Sequence, residues 1–297
     1  MRLIIESGAT KTDFCLMDGC RTERFRTAGI NLATMSPDTA ASRIQDALSR
    51  LDGISSGDWQ NRVEEVHFYG AGLVGRDERI ENIFHGIFPC SAVGMESDLT
   101  AASRALWGRN AGIAAILGTG SNSCVYDGEK VVKNVRPCGY VLGDFGSGAA
   151  LGRMFLADYL QGIMPRWLSE DFHRVYSEDY ASVVAAVYKG DAPARYLASF
   201  APYIASVAKG VASDSGAPDE ESRIYASSLI ESNFRTFIAR CLKQYDLPAC
   251  GTGVTGSFAC GCREFLEKAA REEGIVIAKF LPSPMDGLIK YHSDRNV

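Results

Sequence analysis

One feature constrains this chain more than any other: it echoes itself at an offset of 109 residues. Thr10 meets Thr119, Thr12 meets Ser121, Asp13 meets Asn122, Cys15 meets Cys124, and Asp18-Gly19 meets Asp127-Gly128. Each copy reads as a strand, a small hydroxyl-bearing loop, a second strand, an Asp-Gly turn and a third strand. Any two hairpins share turn residues, but these matches extend into the loops and onto the strands. A repeat this long marks a duplicated domain rather than a solenoid, whose period is roughly 20–50 residues.

The 297 residues suit about two domains. The break is expected near Gly108–Gly112, giving an N-terminal domain over residues 1–109 and a C-terminal domain over 110–297. Several function classes are excluded by composition. With 31 basic and 36 acidic residues the net charge is −5, and scattered Lys and Arg leave no nucleic-acid footprint. The longest apolar stretch, Ala111 to Gly118, falls well short of the ~18 residues that cross a bilayer. Leu3-Ile4-Ile5 before Glu6 is too short for a signal-peptide core. Nine cysteines without a secretion signal read as reduced thiols of a cytoplasmic protein, and four isolated histidines argue against structural zinc.

Strands and helices alternate. Arg2–Glu6 and Asp13–Met17 read as paired strands, with a third at Arg24–Thr27. Ser36-Pro37 opens a helix to about Leu51, Val63–Tyr69 is a strand, and Arg79–Phe88 and Ser97–Trp107 are helices. In the second half, spaced apolar faces predict helices over Ser147–Gln161, Tyr176–Lys189, Arg195–Val211, Glu220–Gln244 and Phe258–Glu273. Gly251–Gly256 reads as a loop and Ile275–Ala278 as a short strand, and Ser283-Pro284 starts a last helix.

Two loops suit phosphate. In Glu6-Ser7-Gly8-Ala9-Thr10-Lys11-Thr12-Asp13, small residues admit close backbone approach and two threonines add hydroxyls, although a plain hairpin turn reads equally well. The segment is not a Walker loop, because Thr10 precedes Lys11 and strands lie on both sides. Leu117-Gly118-Thr119-Gly120-Ser121-Asn122 repeats the chemistry, and the pair suggests two walls of one cleft. Gly251-Thr252-Gly253-Val254-Thr255-Gly256 satisfies G-x-G-x-x-G literally. It lacks the Rossmann context, since Leu247-Pro248-Ala249 makes a poor central strand and no acid ends the next one. Among the carboxylates, Asp98 suits either a helix first turn or a catalytic base, and Asp144 either a turn or a polar contact. Phosphoryl transfer needs a carboxylate-held Mg²⁺ and often a base that takes the acceptor hydroxyl's proton.

These segments occur in a telling order with Phe68-Tyr69-Gly70-Ala71-Gly72, Ser97-Asp98, Gly139–Gly148, Gly256-Ser257-Phe258-Ala259 and Ser283-Pro284-Met285-Asp286-Gly287-Leu288. Over essentially its whole length the chain resembles the BadF/BadG/BcrA/BcrD-type ATPase family, in particular its N-acetylglucosamine-kinase-like members within the actin/Hsp70/sugar-kinase superfamily. The resemblance implies an α/β fold of two duplicated ribonuclease-H-like domains around a nucleotide cleft. A helical insertion sits in the second domain, and the last helix is expected to pack back on the first. It further implies ATP and Mg²⁺ as cofactors, an amino-sugar acceptor, a homodimer, and neither nucleic-acid nor membrane partners.

Residue by residue, the resemblance assigns phosphate contact to Gly8, Thr10, Lys11 and Thr12, and again to Gly118, Thr119, Gly120 and Ser121. Glu6 takes the metal position, Asp98 the catalytic base, and Asn31, Asp98, Gly139, Tyr140 and Asp144 the sugar. Gly256, Ser257 and Gly287 fall near adenosine. Three departures stand out: Glu6 where the family has Asp, Phe145 where it has an acid, and Phe258 where a smaller aliphatic is common. The competing expectations are an ATPase that activates a partner redox enzyme, and a non-catalytic sugar or nucleotide sensor.

Overall fold

Leu3-Ile4-Ile5 has no polar residue to turn toward water, and its strand, β1 (Arg2–Ser7), is buried on both faces in the middle of a sheet. In this computed structural model, residues 1–19, 21–32, 35–50, 59–73, 75–214, 216–245 and 251–293 are described. β2 (Lys11–Asp18) and β3 (Arg21–Ala28) follow β1 as an antiparallel meander. Helix α1 (Pro37–Leu48) begins at the Ser36 cap, whose hydroxyl accepts the Thr39 amide. β4 (Glu65–Gly70) then joins β1 in parallel, α2 (Glu78–Ile87) crosses over, β5 (Ala92–Ser97) extends the sheet, and α3 (Asp98–Trp107) starts directly from its end. The strand order is β3-β2-β1-β4-β5.

The second unit repeats this plan. β6 (Gly112–Leu117), β7 (Ser121–Tyr126) and β8 (Val131–Val135) form the meander. Helices α4 (Gly139–Leu142), α5 (Gly148–Gln161), α6 (Arg166–Tyr176), α7 (Tyr180–Tyr188), α8 (Pro193–Ala198), α9 (Ala201–Ala208) and α10 (Glu220–Arg240) follow. β9 (Thr252–Thr255), α11 (Ser257–Gly261), α12 (Arg263–Glu272) and β10 (Ile277–Leu281) complete a sheet of order β10-β9-β6-β7-β8. The inner strands β1 and β6 each pair antiparallel on one side and parallel on the other.

By compactness the chain divides into Met1–Asn110 with Pro284–Val297, and Ala111–Ser283. The first unit therefore includes the last helix, α13 (Met285–Ser293). One face of its sheet packs Leu3, Ile5, Phe14 and Phe68 against Ile44, Ile80 and Phe84. The other packs Ile4, Cys15, Met17 and Tyr69 against Ala101, Met285 and Leu288. Gly287 permits that second layer: a Cβ there would stand 2.5 Å from the Ala105 backbone. The second unit holds one large core, with Leu117, Phe155, Phe172, Phe200 and Phe237 at its centre.

Several sequence expectations are corrected. Gly251–Gly256 is not a loop: Thr252–Thr255 is the fully buried strand β9, paired in parallel with β6 and β10. The apolar Tyr176–Lys189 run is split by a left-handed Ser177, so that α6 ends and α7 begins, and α6 itself had not been anticipated. Arg195–Val211 breaks at Ser199–Phe200, ahead of Pro202 in the first turn of α9. Phe258–Glu273 breaks at Cys262, and the Glu220–Gln244 helix ends at Arg240, followed by a 3₁₀ turn. The strand expected at Ile275–Ala278 lies at Ile277–Leu281. Strand β5 was not foreseen at all. Leu51 and Leu247-Pro248-Ala249 lie outside the described residues. Among the described residues no helix is long and apolar enough to cross a membrane.

Candidate active site

In the first unit the tip of the β1–β2 hairpin is a tight turn, with the Gly8 amide donating to the Lys11 carbonyl at 2.9 Å. Thr12 is fully buried and its hydroxyl lies 2.7 Å from that of Ser7, which also donates to the Ile30 carbonyl at 2.7 Å. Thr12 therefore braces the turn from inside, while Ala9 stands exposed at its tip and Thr10 is partly covered. The strap after β3 lies against this tip: the Gly29 amide donates to the Thr10 carbonyl at 3.0 Å. A side chain on Gly29 would strike the Gly8 carbonyl at 2.5 Å. Asn31 follows directly on that strap.

Glu6 and Asp13 are cross-strand neighbours, both buried. Asp13 is held by Arg26 of β3 through two bonds, 2.5 and 3.1 Å, with Lys11 at 3.8 Å. Burial pushes the Glu6 carboxyl up to about 7, and the negative charges of Asp13 and then Asp98 add to this, against Lys11 and Arg26. Asp98 is the first residue of α3, behind the Ser97 cap whose hydroxyl accepts the Thr100 amide at 3.2 Å. Its carboxyl is pushed up to about 6 by desolvation, opposed by the amides of Leu99 and of Asp98 itself. Helix position alone would have lowered it; burial wins. Two carboxyls titrating near neutrality within one field are the marks of a site that handles cations and protons.

Among the described residues no three His, Cys, Asp or Glu side chains group as a metal cage. The chemistry of Glu6 nevertheless fits Mg²⁺ delivered with a triphosphate. A buried carboxyl beside other acids is relieved by a cation, and Mg²⁺ takes few protein ligands, completing its shell with phosphate oxygens and water.

In the second unit the β6–β7 tip is locked onto the start of α5. The Gly118 amide donates to the Gly120 carbonyl (3.0 Å), and the carbonyls of Gly118 and Thr119 accept the amides of Gly148 and Ala149 at 2.8 and 3.0 Å. Asp144 reaches this tip: its Oδ1 accepts the Ser121 amide at 3.4 Å, and a Cβ on Gly120 would stand 3.0 Å from its Oδ2. Burial raises the Asp144 carboxyl, against the Ser121 amide and Arg153. Asp144 has φ +49° and Cys138 φ +62°, left-handed backbone that non-glycine residues rarely adopt. These two positions flank α4, which carries Gly139 and Tyr140. Arg153 steadies α4 by donating to the Tyr140 and Val141 carbonyls at 2.6 and 2.9 Å. Asn233 of α10 grips the next turn, accepting from the Gly146 amide and donating to the Ser147 carbonyl.

Beside the tip lies a cavity of about 260 Å³, bounded by Gly118, Thr119, Ala201, Pro202, Ser257 and Phe258. Gly256 turns the chain into this wall at φ +128°, where a Cβ would meet the Leu117 carbonyl at 2.2 Å. Gly287, expected beside Gly256 and Ser257, belongs to the first unit on α13. Within the first unit the structure thus gathers Glu6, Gly8, Thr10, Lys11, Thr12, Asn31 and Asp98. In the second it gathers Gly118–Ser121, Asp144, Gly256 and Ser257, while Gly139 and Tyr140 lie on α4 and Tyr140 lines a separate cavity with Arg153 and Tyr180. Sequence reasoning missed Arg26, Arg153, Asn233 and the small residues on α8 and α9. The only available signal was that Arg26 falls opposite Asp13 when the Asp18-Gly19 turn sets the register.

Two mixed sheets of one repeated strand order, each with a hydroxyl-bearing hairpin tip, define a class: the two-domain ribonuclease-H-like α/β fold of actin-like ATPases. A solved structure described as "Putative N-acetylglucosamine Kinase", from Porphyromonas gingivalis, matches with TM-score 0.90 at 35% identity over 100% of both chains. The chain belongs to its family. A second protein so described, from Chromobacterium violaceum, matches at 19% identity and TM-score 0.64 over 98% of each chain. A ROK family glucokinase from Streptomyces griseus, solved with glucose and AMPPNP, matches at 16% and 0.58 over 98% of this chain and 97% of its own. These last two share the fold. No family model and no curated protein sequence matches the chain.

Proposed function

We propose that this chain is an ATP-dependent sugar kinase of the BadF/BadG type, acting on a hydroxyl of an amino sugar with N-acetylglucosamine as its leading acceptor. Membership of a family that includes the Porphyromonas gingivalis protein supports the kinase class. One observation carries the chemistry: Asp98, at the start of α3, has its carboxyl lifted to about 6, in the charge field it shares with Glu6. A base is most useful when its pKa approaches the working pH, and this one is ionised at neutrality yet stronger than an ordinary aspartate.

On this reading Asp98 orients the acceptor hydroxyl and takes its proton as the phosphoryl group moves in line. Thr119, Gly120 and Ser121, with Thr10 and Lys11, bind phosphate oxygens through amides, hydroxyls and the Lys11 ammonium, while Gly8 and Gly118, whose amides close their own turns, let the phosphates approach the backbone. Thr12 contributes by bracing the first tip. Glu6 would hold Mg²⁺, which neutralises phosphate charge when bound. Asn31, Gly139, Tyr140 and Asp144 would position the sugar, while Gly256, Ser257 and Phe258 wall the adenosine. We place the enzyme in the cytoplasm, where ATP is made, as a homodimer.

The test is ADP release measured over amino sugars and their N-acetyl forms, with Mg²⁺ and a no-sugar control. N-acetylglucosamine-dependent turnover is expected, rising with pH through about 6 as Asp98 loses its proton. Binding of sugar without any turnover would replace the kinase by a sensor.

A further inference from the structure

The cavity beside the second tip has an unusual wall for a site that must tell one nucleobase from another. Its helical side is Ala198, Ala201, Pro202 and Ala205, and its far side is Phe258, Gly261 and Cys262. Among the described residues no Asn, Gln, Asp, Glu, Lys or Arg lines it. Much of the backbone there is already bonded within the protein. The Gly118 and Thr119 carbonyls accept from Gly148 and Ala149, the Ala205 carbonyl accepts from the Lys209 amide, and the Cys262 amide donates to the Phe258 carbonyl. The Cys262 carbonyl accepts from Phe265 and Leu266, and the Gly261 carbonyl is taken by Lys209 Nζ at 2.6 Å. What remains is shape, the ring of Phe258, which lies 5.4 Å from that of Phe234 between centroids, and the hydroxyls of Thr119 and Ser257, each able to turn and either donate or accept, in a cavity of about 260 Å³.

We propose that the nucleotide is read by its ring and its triphosphate rather than by its hydrogen-bonding edge, so that purine nucleoside triphosphates with a 6-oxo ring serve beside ATP. This rests on the kinase reading above. A wall that hydrogen-bonds a polar group rejects the analogue lacking it by roughly 10⁴–10⁵-fold. A wall whose side-chain polar groups are rotatable hydroxyls has no such lever, because a hydroxyl that accepts from an amino group can turn to donate to an oxo group. Stacking on an aromatic face is likewise indifferent to edge chemistry.

The experiment is calorimetric titration of the full chain with Mg²⁺ and ATP, GTP or ITP in the absence of sugar. Dissociation constants within about tenfold of one another are expected, and a preference for ATP beyond tenfold overturns the proposal. If none of the three binds, the kinase reading falls first, which separates the two failures. Phe258→Ala should weaken all three by a similar factor, about tenfold for a lost stack. A loss confined to ATP would show edge reading and overturn the proposal.

Discussion

The two hairpin tips share a topology and differ in charge. In the first, Asp13 is clamped by Arg26 from the third strand of the meander, beside buried Glu6 and half-covered Lys11. In the second, the matching Asn122 is met from the third strand by Asn134, whose Nδ2 donates to its Oδ1 at 2.8 Å, and no charged residue lies between Leu117 and Tyr126. An ion pair in one copy is an amide pair in the other. Duplication preserved the hydrogen-bonded frame, while the carboxyls that titrate near neutrality gathered at the first copy. The second hairpin, uncharged itself and met by Asp144 from outside it, presents glycines and hydroxyls locked to a helix start, suited to oxyanions.

This contrast can be broken in order of effect. Asp98→Asn removes the base from the charged copy, and sugar-dependent kcat should fall about 10²–10⁴-fold with ATP affinity nearly unchanged, as steady-state kinetics and calorimetry would register. Gly256→Ala attacks the frame of the second copy: its positive φ and the Leu117 carbonyl at 2.2 Å from the new Cβ should cost about 3 kcal/mol or more in chemical denaturation.

A pH series then separates the copies. Unfolded, Glu6 loses its proton near 4.5; folded, it does so near 7. Between those values the folded state holds the extra proton, so stability should decline as pH rises, by about 3 kcal/mol. Glu6→Gln should flatten that slope, and a slope unchanged by the substitution would remove the carboxyl from this role. Smallest is the clamp itself. Arg26→Ala leaves buried Asp13 short of its partner and should cost about 2 kcal/mol, whereas Asn134→Ala at an exposed amide should cost about 1 kcal/mol.

The same contrast shows why some features were legible in the sequence and others were not. Turns, caps and the Asp98 helix start carry local chemistry that travels with residue type, so the meanders and α3 could be anticipated. Thr252–Thr255 was hidden because its glycines imitate a loop; only pairing on both sides makes it a central strand. Long apolar runs such as Arg195–Val211 and Tyr176–Lys189 hid breaks at Ser199 and Ser177, whose backbone is set by packing between helices. In the site, glycines and hydroxyls advertised the tips. Ala198, Ala201 and Ala205 carry no signal until the fold sets them around a cavity, and the raised carboxyl of Asp98 comes from burial, which only tertiary packing supplies.

The last helix has a consequence for synthesis. Met285 and Leu288 of α13 complete one whole face of the first sheet, with Asp286 paired to Arg24 at 2.5 Å. A ribosome making roughly 5–20 residues per second would emit that helix on the order of 10–35 s after Asn110, the far edge of the first stretch. Throughout this interval Ile4, Cys15 and Tyr69 wait with only α3 over them while the second unit is being made. The first unit to emerge is thus the last to finish, and a chain cut short before Pro284 would leave that greasy face half covered, open to chaperones or aggregation.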